Sequence, residues 1–92
     1  INDIIRCESQ RSYTQLFLKD GNKLTVTKTL KQFEQELMDY HFIRIHQSHL
    51  VNLNYIEKYI KNKGGFVILS NGSKLPVAIR KKEILFKELE QL

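Results

Sequence analysis

The run Phe66-Val67-Ile68-Leu69-Ser70-Asn71-Gly72-Ser73-Lys74-Leu75-Pro76-Val77 decides the fold class. Two short strand-like segments, residues 66–69 and 74–77, stand on either side of Asn71-Gly72, a dipeptide that suits a tight reversal between antiparallel strands. Immediately upstream, Gly64-Gly65 divides residues 66–69 from a third strand-like segment, residues 55–60. Three strands in succession with a turn between each pair read as a meander.

The first half follows the same rhythm. Residues 4–8, 13–18 and 23–26 read as strands, the last two joined through Asp20-Gly21. A type I′ turn there needs positive φ at both central positions, which Asp and Gly tolerate. All four glycines, Gly21, Gly64, Gly65 and Gly72, fall at expected turns, which leaves none for a phosphate-cradling loop. Two segments depart from the pattern. Thr29 with Gln32 forms a capping box, and Leu30, Phe33 and Leu37 recur as one stripe of a short amphipathic helix running to about Met38. After Pro76, residues 80–92 place Leu85, Leu89 and Leu92 on one helical face with Ile84 alongside, among strong helix formers. The expected fold is therefore mainly β, an elongated antiparallel hairpin and meander domain with one short amphipathic helix and a C-terminal helix.

Ninety-two residues with 41% apolar content make one compact domain, residues 1–92. The chain begins at Ile1 without a leader pattern, so it reads as a piece of a longer protein. Apolar runs fall far short of the roughly 18 residues that cross a bilayer, so a soluble, membrane-free, cytoplasmic protein is expected. The single Cys7 has no internal disulfide partner and sits in a strand-like context that suits a buried structural thiol in a reducing compartment. A formal charge of +5, from 15 Lys and Arg against 10 Asp and Glu, favours polyanionic partners, nucleic acid ahead of anionic lipid. Many small domains carry such an excess for solubility alone, so charge needs corroboration.

His41, His46 and His49 are close in sequence, but no CxxC, HExxH or carboxylate cluster completes a metal site around them. Hydrogen-bonded or solvent-facing imidazoles are expected instead. Ser48 lacks a nucleophile elbow, and no enzyme signature or cofactor motif is present. The segment 42–52 is more informative. It opens with strand alternation that puts Arg44 and His46 on one face, then delivers Gln47-Ser48-His49 together, followed by apolar Leu50 and Val51 as anchors. Gln pairs bidentately with adenine, Arg with guanine, and Ser reaches a phosphate oxygen, so these residue types suit groove reading. A turn whose polar groups cap their own backbone fits the segment equally well. A second polar loop, Ser9-Gln10-Arg11-Ser12-Tyr13, joins the first two strands, and a basic cluster, Arg80-Lys81-Lys82, opens the terminal helix. Cations at a helix N-terminus oppose its dipole, so the cluster either awaits an anion or is a solvated face with Glu83 in partial compensation.

These residues resemble the LytTR family, also called LytR/AlgR, the output domains of many bacterial response regulators. Arg44-Ile45-His46-Gln47-Ser48-His49-Leu50-Val51-Asn52 is similar to the family pattern of Arg, aliphatic, His, variable, Ser, variable, aliphatic, Val, Asn. Glu8 ahead of Tyr13, Thr29-Leu30-Lys31, Phe42, and Asn71-Gly72 leading to Leu75-Pro76-Val77 extend the match across almost the whole chain. The resemblance implies sequence-specific binding of double-stranded DNA through loops in successive grooves, commonly as two copies on direct repeats, with an upstream receiver or sensory domain and transcription regulation as the task. By position it puts base reading at the Arg11-Ser12-Tyr13 loop, Gln47 and Arg80, and backbone contacts at Ser48, Arg44 and Lys81. Where many relatives carry Pro, Val, Ser, Arg, Arg, this chain has Pro76-Val77-Ala78-Ile79-Arg80, which removes one hydroxyl and one guanidinium. The rival expectation is a protein-interaction module that uses exposed strand edges or the terminal helix, with an incidental basic surface. RNA binding is less favoured, because Tyr13, Phe17, Tyr55 and Tyr59 fit strand faces rather than paired stacking platforms.

Overall fold

A computed structural model describes residues 2–91, with Lys63 in its backbone only. Eight strands run β1 (Ile4–Gln10), β2 (Tyr13–Leu18), β3 (Lys23–Val26), β4 (Phe42–His46), β5 (His49–Asn52), β6 (Ile56–Ile60), β7 (Phe66–Leu69) and β8 (Lys74–Pro76), with α1 (Leu30–Leu37) before β4 and α2 (Lys82–Glu90) at the end. The strands form two antiparallel sheets, one of order β3-β2-β1-β5-β4 and one of order β6-β7-β8. The mainly β architecture and the closing meander are as the turn chemistry predicts.

The turns themselves differ from the type I′ expectation. Around Asp20-Gly21 the Gly21 N–H donates to the Leu18 carbonyl at 3.0 Å and the Leu18 N–H to the Asn22 carbonyl at 2.9 Å. Positive φ is confined to Gly21, at 92°. The Asn71-Gly72 hairpin repeats this, with Gly72 N–H to Leu69 carbonyl at 2.9 Å and Gly72 at φ 89°. Both are four-residue turns closed by a left-handed glycine, so Asp20 and Asn71 keep ordinary φ and use their carboxylate and amide oxygens to accept the N–H two residues on.

Each face of the larger sheet is covered. On one face, Leu30, Phe33 and Leu37 of α1 pack with Cys7, Leu16 and Leu50. The α1 cap forms as expected, Thr29 and Gln32 exchanging hydrogen bonds. Register explains the buried row, since Leu16 pairs with Cys7, Cys7 with Leu50 and Leu50 with Arg44. Burial under α1 pushes the Cys7 thiol up to about 12, so it is a core group and not a reactive thiolate. On the opposite face, Ile43, Ile45 and Val51 meet Val67, Leu69 and Leu85, which belong to the second sheet and α2. Leu50 and Val51 are therefore both fully buried although they point to opposite sides.

Other boundaries shift slightly. Leu53–Tyr55 forms a 3-10 turn ahead of β6, and Ile79–Lys81 forms another ahead of α2, so Arg80 and Lys81 precede the α-helix. Leu85 and Leu89 face the core as the apolar stripe predicts, whereas Ile84 is half exposed and Leu92 lies outside the described residues.

Candidate nucleic-acid interface

The β1–β2 connection is shorter than its sequence suggests. Gln10 and Tyr13 are already paired, leaving a two-residue turn of Arg11 and Ser12, both exposed. Arg11 adopts φ 50°, a left-handed conformation that costs a side-chain-bearing residue about 1 kcal/mol. Such strain in an exposed, charged residue fits a position selected for what its side chain reaches.

The β4–β5 connection is equally tight, with Gln47 and Ser48 between paired His46 and His49. Two contacts hold it from below. The Ser48 N–H donates to His46 Nδ1 at 3.1 Å, which fixes that imidazole nitrogen as an acceptor. The Arg44 guanidinium donates through Nε to the His46 carbonyl at 3.0 Å, through Nη2 to the Gln47 carbonyl, and through Nη1 to Glu34 of α1 at 2.9 Å. With its side chain only 19% exposed, Arg44 faces inward. Gln47 is exposed, and among the described residues no hydrogen bond engages its amide.

Strand order brings the two turns together. Because β1 lies beside β5, the Ser9 N–H donates to the Ser48 carbonyl at 3.0 Å, linking one turn's base to the other. Between them lies a shallow groove of about 270 Å³, lined by Arg11, Ser12, Tyr13, Lys31, Gln47 and Ser48. Lys31 and Arg44 also border the neighbouring, larger groove, where Lys81 joins them. Arg11, Lys31 and Lys81, from three separate elements, thus border the two grooves in succession, and Glu34, Asp39 and Glu88 also line the larger one. The Arg80 turn is fastened nearby, since the Ala78 N–H donates to the Ile45 carbonyl at 2.8 Å. Among the described residues, Arg11, Lys31, Arg80 and Lys81 form no ion pair, so their charge faces outward.

Beneath the β4–β5 turn, Glu8 accepts from Arg6 Nη1 at 2.7 Å and from Gln10 Nε2 at 2.8 Å. Its Oε1 lies 3.6 Å from His49 Nδ1, and the His46 and His49 rings are 5.3 Å apart. Burial lowers the His49 pKa, Glu8 opposing and His46 and Arg6 reinforcing the shift, so this imidazole sits neutral in the fold. Among the described residues no group of three His, Cys, Asp or Glu side chains is arranged to hold a metal ion. No helix there is long and apolar enough to cross a membrane.

Sequence reasoning singled out Arg11, Ser12, Tyr13, Arg44, Gln47 and Ser48, which share one groove, together with Lys81, which lines the adjoining groove, and Arg80, which lines neither. Lys31, which lines both grooves, was not among them, although Thr29-Leu30-Lys31 carried part of the family likeness. Its signal was an exposed lysine at the start of a capped helix, which has meaning only once the helix is placed beside the two turns.

Short, cross-linked turns thus present cations and amides at the surface of a mainly β domain. The chain belongs to the LytTR family, since the model of the LytTr DNA-binding domain matches residues 1–90. It is 34% identical over 92 residues to the Sensory transduction protein LytT of Bacillus subtilis strain 168, an alignment covering 98% of this chain and 36% of that protein. The chain thus spans about a third of the length of that relative. A solved LytTr DNA-binding domain of a response regulator from Bacillus cereus superposes with a TM-score of 0.81 at 24% identity, covering 99% of this chain and 84% of the other, which bears out the fold. The family is a DNA-binding one and not an enzyme family.

Proposed function

We propose that the domain binds duplex DNA sequence-specifically as the cytoplasmic output unit of a longer transcription regulator, with a receiver or sensory domain elsewhere in the same protein. The observation that carries this reading is the convergence of the Arg11-Ser12 and Gln47-Ser48 turns on one groove, with Lys31 in its lining and Lys81 in that of the adjoining groove. Tight turns on a rigid sheet project side chains far enough to meet base edges, and the flanking cations neutralise phosphates on either side. In this arrangement Arg11, Gln47 and Arg80 read bases, with Ser12 and Tyr13 supporting the first contact. Ser48, Lys31 and Lys81 hold the backbone, and Arg44 acts as a positioning residue for the Gln47 turn. The longest dimension, 32 Å, is close to the roughly 34 Å of one duplex turn, so a single copy covers about one turn and two copies suit direct repeats on one face of the DNA.

The reading is tested by selecting bound duplexes from a random pool and titrating them at several salt concentrations. With the two phosphates held by Lys31 and Lys81 neutralised, log K falls against log salt with a slope of about −2. Gln47→Ala should weaken the selected duplex by about 1 to 3 kcal/mol and relax preference at one base pair. Equal weakening on every duplex would remove base reading by Gln47. Absence of binding to any duplex at low salt would support a protein-interaction role instead.

A further inference from the structure

Ile79 is 83% exposed, the most exposed large apolar side chain among the described residues. Scattered exposed apolar groups are ordinary, so exposure alone decides nothing. Its setting does. The backbone on both sides is fastened, by the Ala78 N–H to the Ile45 carbonyl at 2.8 Å and the Lys81 N–H to the Ala78 carbonyl at 2.9 Å, while the Ile79 carbonyl accepts from the Lys82 N–H. A β-branched side chain on such a turn has few rotamers. The result is a stiff apolar projection beside exposed Arg80 and half-buried Lys81, fastened to the strand that leads into Gln47. Met38 and Ile84 line the larger groove, whereas Ile79 lines neither groove described above and stands proud of the surface. A projection of this kind enters a groove in a partner; it does not receive one.

We propose that Ile79 is a specificity-determining residue that reads the 5-methyl group of thymine. This inference rests on the DNA-binding reading. Among the groups that base pairs display in the major groove, the thymine methyl is the apolar one, and small apolar side chains discriminate by touching it. Lys81 at the end of the same turn holds a phosphate, and Ile79 supplies a preference that neither Arg80 nor Lys81 can, because guanidinium and ammonium groups gain nothing from a methyl. Recognition at this turn is therefore shifted toward A·T pairs by burial of apolar surface.

The experiment replaces thymidine by deoxyuridine one position at a time in the selected duplex, which removes a methyl and leaves the Watson–Crick pairing unchanged. Wild-type binding should drop about fourfold at one or two positions, the value of burying one methyl-sized group. Ile79→Ala, at an exposed site where the fold does not depend on it, should bind the thymidine duplex as weakly as wild type binds the deoxyuridine one and show no further loss on substitution. Ile79→Leu should keep part of the discrimination. Wild-type indifference to every substitution, which an apolar wedge between base steps would also produce, overturns the inference and leaves DNA binding standing. Retained discrimination in Ile79→Ala likewise overturns it. Failure to bind any duplex at low salt removes the DNA-binding reading and this inference together.

Discussion

Arg44→Met separates a residue that holds the reading loop from one that touches DNA. The substitution keeps most of the aliphatic stem and deletes the donors that reach the His46 and Gln47 carbonyls and Glu34. The two carbonyls belong to a partly exposed turn and regain water, so each bond is worth about 0.5 to 1 kcal/mol. The ion pair has partners 19% and 39% exposed, which limits it to about 0.5 kcal/mol. The sum is about 2 kcal/mol, which for a domain of 92 residues lowers Tm by about 10 °C. Urea unfolding and thermal melts measure this loss. DNA titration across salt concentrations then supplies the discriminating readout. A positioning residue releases no counterion, so Arg44→Met weakens the selected duplex through a looser Gln47 turn while the slope of log K against log salt stays at the wild-type value. A direct phosphate contact would reduce that slope by about 0.9. Wild-type stability together with a reduced slope would refute the inward role read from the hydrogen bonds.

Three further outcomes follow from local geometry. Arg11→Gly relieves the strain of φ 50° and, after the entropic cost of glycine, should raise stability by roughly 0.5 kcal/mol in urea while weakening DNA binding; loss of both together would mean that the Arg11 side chain supports the fold. Gly65 has φ 99°, and an added Cβ would press on the Tyr59 hydroxyl, so Gly65→Ala should cost about 2 kcal/mol or more, and a wild-type melting curve would contradict the packing of β6 against β7. Burial holds His49 below its ordinary 6.5, so under mildly acidic conditions the unfolded chain takes up a proton that the folded one refuses. The contribution is fully present above about pH 6.5 and is lost as pH falls through the lower folded-state value; His49→Gln should flatten the urea midpoint between pH 6.5 and 5, and an unchanged slope would acquit this residue.

Much of the scaffold was legible because its signals are local. Asn71-Gly72 and Asp20-Gly21 mark reversals wherever they occur, and a Thr29 to Gln32 box followed by Leu30, Phe33 and Leu37 specifies a helix and the face it buries. Even there, the turn class depended on whether Asp20 and Asn71 satisfied the chain through side-chain oxygens, which spared them positive φ. The tight β4–β5 hairpin was harder to see because Leu50 and Val51 break alternation; a strand covered on both faces has no period of two to detect.

The amino-acid sequence by itself determined most of the strands, both helices and the turns that carry Arg11, Gln47 and Arg80, since each depends on neighbours within a few positions. Tertiary structure alone decided that β1 lies beside β5, and so that residues 36 positions apart, Arg11 and Gln47, border one groove. It also turned Arg44 inward toward Glu34, set Lys31 beside both turns, and left Ile79 standing in solvent on a fastened backbone. Pairing register between distant strands sets these relations, and register is won by the burial of two whole sheet faces at once, a quantity that no short stretch of sequence contains.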